Sequence, residues 1–221
     1  MSGILFLAAL VVMVIAAPLL QPHKYGPMVQ AFSYTAALIA GLWAISRSRK
    51  VMLAAAAMLA PAVIAKWVHW LWPDLLPQQL VVALAMAPIG FIVVVLFRVV
   101  LTAPRVDANV LCAAVSNFLM IGILWAFGYE LVDLCIPGSF ASSAANSGSG
   151  VMVHFTPFYF SMITLCTVGY GDITPVSPIA RMLAVLEAIA GTFYLAILIS
   201  RLVSAYAYRQ KQADSPQKTL P

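Results

Sequence analysis

An all-α polytopic membrane protein with six spanning helices is the fold that this sequence predicts. Three observations carry the prediction. Of 221 residues, 63% are apolar and 9% are charged, against about 25% charged in an ordinary soluble domain. The mean hydropathy is +0.99. The apolar residues gather in runs of roughly 20, the length an α-helix needs to cross the hydrocarbon core of a bilayer. A chain of this size cannot bury that much apolar surface in its own interior, so a water-soluble globule is excluded. Disorder needs the opposite composition. Cys112, Cys135 and Cys166 are far apart and lack a C-x-x-C spacing, which excludes a zinc or disulfide scaffold. The net charge of +5 is what basic cytoplasmic loops produce, and it calls for no nucleic-acid partner.

The runs follow in order: 4–20, 28–45, 51–70, 80–101, 110–134 and 179–206. Each is too apolar all round for a surface helix. Pro18, Pro61 and Pro88 lie inside runs, where a membrane helix tolerates a kink without ending. The first run lacks a basic n-region, so it reads as a retained helix and not as a cleaved signal, although Val14-Ile15-Ala16 loosely resembles a cleavage site. Arg47, Arg49, Lys50, Arg98, Arg105, Asp107, Arg209, Lys211 and Lys218 fall on one side of the membrane. Lys24, Asp74, Glu130, Asp133, Asp172 and Arg181 fall on the other. The basic excess predicts that both termini are cytoplasmic, in a cell membrane. Trp67, Trp70 and Trp72 form an interfacial belt at the outer end of the third run. No internal repeat divides the helices into two halves.

The linker after the fifth run differs from the rest. Residues 138–150 form a Ser/Gly/Ala stretch that reads as an exposed external loop. Thr156-Pro157 then marks a helix start, with Thr156 as N-cap and Pro157 in the first helical position. The helix from Pro157 to about Cys166 is too short to span, so it enters the membrane from outside and returns. Directly behind it stands Thr167-Val168-Gly169-Tyr170-Gly171-Asp172.

In that motif and its setting, the sequence resembles the potassium channel pore family. The resemblance covers about 110–206 and implies a selectivity filter. Backbone carbonyls of Thr167, Val168, Gly169 and Tyr170, with the Thr167 hydroxyl, replace the water of a K⁺ ion. Gly169 and Gly171 permit the alternating left-handed backbone that this needs, while Val168 and Tyr170 point away and pack against the short helix. Tyr159-Phe160 matches the aromatic pair that cuffs the filter, in a family where many members have Trp-Trp. Ile163 stands where some bacterial members carry a glutamate. Cys166, where Thr or Ser is common, and Asp172 flank and support the filter. Gly191 lies twenty residues beyond Gly171, the family's bend point of the inner helix. Close helix packing is the alternative reading of that glycine. From it, Thr192, Leu195, Ile199 and Val203 share one helical face. By resemblance they line the cavity, and ordinary packing is the alternative.

Other residues carry readings of their own. Glu187 is a buried acid one turn before Gly191. It must be paired, protonated or wet, holding the last helix to the short one through Ser161 or Thr164, or sensing pH. Ser116 and Asn117 read as interhelical hydrogen-bond glue. Lys66 and His69 lie in the outer part of the third run, where Lys66 can snorkel to the surface. Glu130 and Asp133, with Asp172, read as exposed acids at the outer mouth.

The predicted organisation is a four-helix region, 1–106, arranged like a voltage sensor. A pore region, 107–208, and a short tail, 209–221, follow. The fourth run has only Arg98, near its inner end, whereas a sensor needs several gating charges. One loop per chain cannot surround an ion, so the resemblance implies a homotetramer in the lipid bilayer, conducting K⁺ passively. No cofactor is expected and no residue set supports catalysis. A weakly selective cation channel, a secondary transporter and a non-conducting regulatory subunit are the alternatives.

Overall fold

A computed structural model describes residues 2–20, 35, 41, 49–103, 107–143, 152 and 155–213. Among the described residues, six helices and two short strands follow one another: α1 (Ser2–Leu20), α2 (Arg49–Leu71), α3 (Gln78–Thr102), α4 (Ala108–Cys135), β1 (Phe140–Ser142), α5 (Thr156–Leu165), β2 (Ile173–Pro175) and α6 (Pro178–Ala213). Four of them are long and apolar enough to cross a membrane: Met52–Leu71, Gln78–Thr102, Ala108–Cys135 and Pro178–Ser204. Gly3–Ala16 of α1 is a shorter apolar helix. The predicted run 28–45 lies outside the described residues, apart from Thr35 and Gly41. So do Lys24, Arg47, Arg105 and Lys218. Pro18, Pro61 and Pro88 sit inside α1, α2 and α3 without ending them.

Helix ends follow local chemistry. The Asp107 carboxylate accepts the Val110 N–H at 2.9 Å and caps α4. Backbone N–H donation, that of Val110 foremost, holds this carboxyl below the usual range. A lowered pKa means that the cap is intact above the ordinary carboxylate range and weakens as pH falls through the lowered value. His69 Nδ1 lies 2.8 Å from the Leu76 carbonyl, tying the end of α2 to the turn before α3. Lys66, one turn earlier, is half-buried. Trp67 and Trp70 meet edge to face at 5.8 Å.

Two cores hold the helices. The first joins Phe6 and Leu10 of α1, Ile89, Ile92, Leu96 and Val100 of α3, and Ala113, Ala114, Met120 and Ile123 of α4. Small alanines on α4 let α1 and α3 lie close against it. The second core, at the other end of α4, joins Tyr129, Phe140, Met152, Phe160, Ile173 and Ala180. It gathers α4, β1, α5, β2 and α6 around the segment that carries the motif.

Several local features differ from the expectation. The stretch from 138 does not begin as an exposed loop. Ser139 and Phe140 are buried, and β1 pairs antiparallel with β2, with Phe140 opposite Pro175 and Ser142 opposite Ile173. The Phe140 ring supplies the reason: it meets Tyr129 and Phe160 edge-on at 5.6 and 5.5 Å. Residues 144–150 lie outside the described part. Helix α5 begins at Thr156, not after it; the cap is Phe155, with no side-chain bond, and Pro157 is the second helical residue. Asp133 is not an exposed acid: it is buried, and its Oδ2 accepts the Met152 N–H at 3.1 Å. Gln78 Nε2 donates to Glu130 Oε1 at 3.0 Å. Ser116 and Asn117 are fully buried; among the described residues the Ser116 hydroxyl completes no hydrogen bond, and the Asn117 side chain lies beside the Tyr194 hydroxyl of α6.

Candidate ion-conduction site

The site is built on the C-terminal end of α5. Thr164 donates its hydroxyl back to the Phe160 carbonyl at 2.8 Å, and the Cys166 N–H bonds the Met162 carbonyl at 3.0 Å. The chain then leaves the helix but keeps satisfying its last carbonyls. The Thr167 N–H bonds Thr164 O at 2.9 Å, and the N–H groups of Val168 and Gly169 converge on Ile163 O at 2.8 and 3.3 Å. The helix terminus and the foot of the motif are thereby one hydrogen-bonded unit.

Above the foot, left-handed residues alternate with ordinary ones. Thr167, Gly169 and Gly171 have φ of 56°, 55° and 78°. Such alternation turns successive carbonyls toward a common side. The two glycines take it without steric cost. Thr167 does not: a β-branched residue in this region is strained by about 1–3 kcal/mol, held by its surroundings. Sequence reasoning found the glycines and missed Thr167, since no propensity argument puts a threonine there.

Val168 and Tyr170 are expected to point away and pack against α5, but much of each side chain is uncovered. They are 50% and 71% exposed.

The outer end is anchored by side chains. The Tyr159 hydroxyl donates to Asp172 Oδ2 at 2.7 Å, so the aromatic pair reaches across to the top of the motif. Phe160, its neighbour, is buried, with its ring 4.9 Å from Tyr129. The Ser143 N–H bonds the Asp172 carbonyl at 2.9 Å, which fastens the motif to β1. Asp172 Oδ1 is buried and meets no hydrogen-bond partner among the described residues. Removing the Tyr159 hydroxyl therefore strips the carboxylate of its side-chain donor. A hydrogen bond to a charged group contributes about 1.5–3 kcal/mol. Tyr159→Phe is expected to speed amide exchange at residues 170–172 about tenfold or more, measured by mass spectrometry. Unchanged exchange would contradict the anchor.

Behind α5 lies a buried polar cluster. Tyr129 donates its hydroxyl to Glu187 Oε2, and the Ser161 hydroxyl sits within hydrogen-bonding distance of both Glu187 Oε1 and the Gly122 carbonyl, the latter at 2.8 Å. The predicted link from Glu187 to α5 thus runs through Ser161, while Thr164 is engaged within its own helix. Tyr129 was not foreseen; it lies 58 residues away in sequence, and nothing local marks it. Gly191 is buried where α6 crosses the end of α5, and a Cβ there would overlap the Leu165 carbonyl oxygen. Helix α6 runs unbroken through Gly191. Thr192, Leu195, Ile199 and Val203 are all exposed, on the side of α6 away from Glu187 and Tyr194. Tyr194 donates its hydroxyl to Ala114 O at 2.7 Å. Arg201, which sequence reasoning passed over, donates to the Ala103 carbonyl and ties α6 to the end of α3. Cys166, at the foot of the motif, is an exposed free thiol.

Comparison with known proteins agrees with this geometry. Residues 118–208 match the family described as "Ion channel". The chain is 39% identical over 69 residues to the "Two pore potassium channel c" of Oryza sativa subsp. japonica, covering 31% of this chain and 14% of that one. It is 29% identical over 93 residues to the "Inward rectifier potassium channel Kirbac3.1" of Paramagnetospirillum magnetotacticum, covering 40% and 27%. It is 39% identical over 61 residues to the "Calcium-gated potassium channel TvoK" of Thermoplasma volcanium, covering 28% and 17%. The chain therefore spans less than a third of the length of these curated relatives. No solved structure matches. Residues 118–208 thus resemble an ion-channel family, and parts of the chain resemble potassium channels.

Proposed function

We propose that this protein is a potassium-selective channel that conducts K⁺ passively as a homotetramer. The observation that carries the reading is the backbone alternation at Thr167, Gly169 and Gly171, set directly on the end of a ten-residue helix. Carbonyls turned to a common side replace the hydration shell of an ion only when several chains surround one axis. The exposed Val168 and Tyr170 side chains, and the exposed face with Thr192, Leu195, Ile199 and Val203, are surfaces that neighbouring copies and a water-filled cavity would take up.

In this reading the chain has six spanning helices, and α5 with the filter forms a re-entrant loop opening outward. Residues 107–208 are the pore region, preceded by 1–106 and followed by a cytoplasmic tail. Both termini face the cytoplasm, in a cell membrane. Thr167, Val168, Gly169 and Tyr170 present the ion's oxygens; Tyr159, Phe160, Cys166 and Asp172 support them. Gly191 allows bending as well as close packing. K⁺ is the permeant ion, and no cofactor takes part. Native mass spectrometry of purified protein, with potassium efflux from vesicles, tests the assembly. Tetramers with efflux are expected; monomers or dimers alone would overturn it.

Intrinsic voltage dependence is expected to be weak. Moving one charge through the field yields about 2.3 kcal/mol per 100 mV, and steep gating needs several per subunit. The span Gln78–Thr102 offers Arg98 alone, exposed in the last two turns of α3. A conductance–voltage curve with several effective charges, flattened by Arg98→Gln, would contradict this.

A further inference from the structure

Glu187 is wholly buried in the first third of α6, and the proton count around it is informative. Three polar contacts meet there: Tyr129 with Oε2, Ser161 with Oε1, and Ser161 with the Gly122 carbonyl. Tyr129 and Ser161 bring one hydroxyl proton each, and each can donate once. Two protons cannot make three hydrogen bonds. If Ser161 gives its proton to a carboxylate, its contact with Gly122 O at 2.8 Å sets lone pair against lone pair. A full charge is then also left buried with no cation among its partners, which is unfavourable at membrane depth. A third proton on the carboxyl resolves both difficulties.

We propose that Glu187 is held as a neutral carboxylic acid that donates to Ser161, which donates in turn to the Gly122 carbonyl, making Glu187 the positioning residue that keys α5 and the filter to α4 and α6. Every polar atom then has a role. Oε1–H donates to the Ser161 hydroxyl oxygen, the Ser161 hydroxyl donates to Gly122 O, and the Tyr129 hydroxyl donates to Oε2. The relay crosses all three helices of the site. Gly122 makes the crossing close enough, since a Cβ there would lie 2.6 Å from Met162 Sδ and 3.7 Å from Ser161 Oγ. The titratable groups that face Glu187 are Tyr129 from α4 and Cys166 from the end of α5. On α6 itself, Arg181 lies at the outer start and is bonded to the Pro175 carbonyl. The neutral acid is the form that holds the relay, so the relay persists at neutral pH and is lost as alkaline pH removes its proton.

Infrared spectra of the purified full chain in lipid vesicles test this at neutral pH. The wild type is expected to show a carboxylic-acid carbonyl band above the amide I region. That band is expected to vanish in Glu187→Gln. In Ser161→Ala it should persist but move to higher wavenumber, because the acid has lost its acceptor. Absence of the band from the wild type would overturn the proposal. So would its survival in Glu187→Gln, which would assign it to another carboxyl such as Asp133 or Asp172. An unmoved band in Ser161→Ala would overturn it too, and that variant decides the matter if Glu187→Gln does not fold. The positioning role has a second readout, which rests on the conduction reading: potassium flux should fall with alkaline pH in the wild type and lose that dependence in Glu187→Gln. Identical pH profiles would overturn the role. The spectra do not depend on conduction, so the acid band without flux would contradict the channel reading alone.

Discussion

Replacing Gly169 by alanine is expected to abolish potassium conduction while leaving the protein folded and assembled. Gly169 stands at φ 55°, and a Cβ there would meet nothing within 4 Å. The substitution therefore creates no clash with another part of the chain. Its cost is in the backbone alone, about 1–2 kcal/mol for an L-residue in the left-handed region. The local peptide escapes that cost by rotating, which carries a carbonyl off the common side. A filter depends on each of its carbonyls, so a change that barely touches stability removes function. Potassium efflux at the background rate, with tetramers intact in native mass spectra, is the expected result. Flux comparable to the wild type would show that the left-handed geometry is not needed.

Gly191→Ala is expected to act in the opposite order, through the fold first. The added Cβ would overlap the Leu165 carbonyl oxygen and lie 3.0 Å from Leu165 Cδ1. A backbone oxygen at the end of α5 cannot yield unless the helix end moves, and the foot of the filter moves with it. Overpacking of this kind costs about 1–3 kcal/mol. Gly122→Ala is the milder comparison, because what its Cβ meets at 2.6 Å is the flexible Met162 thioether. Thermal unfolding should show a clear loss of stability for Gly191→Ala, a smaller one for Gly122→Ala, and reduced conduction in the former. If Gly191 served only as a bend point, Gly191→Ala would keep wild-type stability and change open probability alone.

Much of this architecture is legible in the sequence because bilayer thickness imposes a length and a composition. The third to sixth apolar runs return as helices α2, α3, α4 and α6 within two residues of their expected ends, except that α6 continues to Ala213 past the expected end at 206. The start of α5 is legible to within one residue, since proline near a helix start is a local preference. What escaped depends on distant parts of the chain. The register of β1 against β2 is set by Phe140 meeting Tyr129 and Phe160, and three residues in a Ser/Gly stretch give no periodicity to read. Tyr129 as partner of Glu187, and Arg201 as partner of Ala103, arise from helix packing alone. Thr167 takes a conformation that its own side chain disfavours, so only the surrounding hydrogen bonds specify it.

The central claim is selectivity, and reversal potentials in a planar bilayer test it most directly. Purified protein is placed between solutions with opposing potassium and sodium gradients, and current is recorded as voltage is stepped. A reversal potential close to the potassium equilibrium value is expected, shifting when the potassium gradient alone is changed. A reversal potential that tracks sodium as closely as potassium would contradict it.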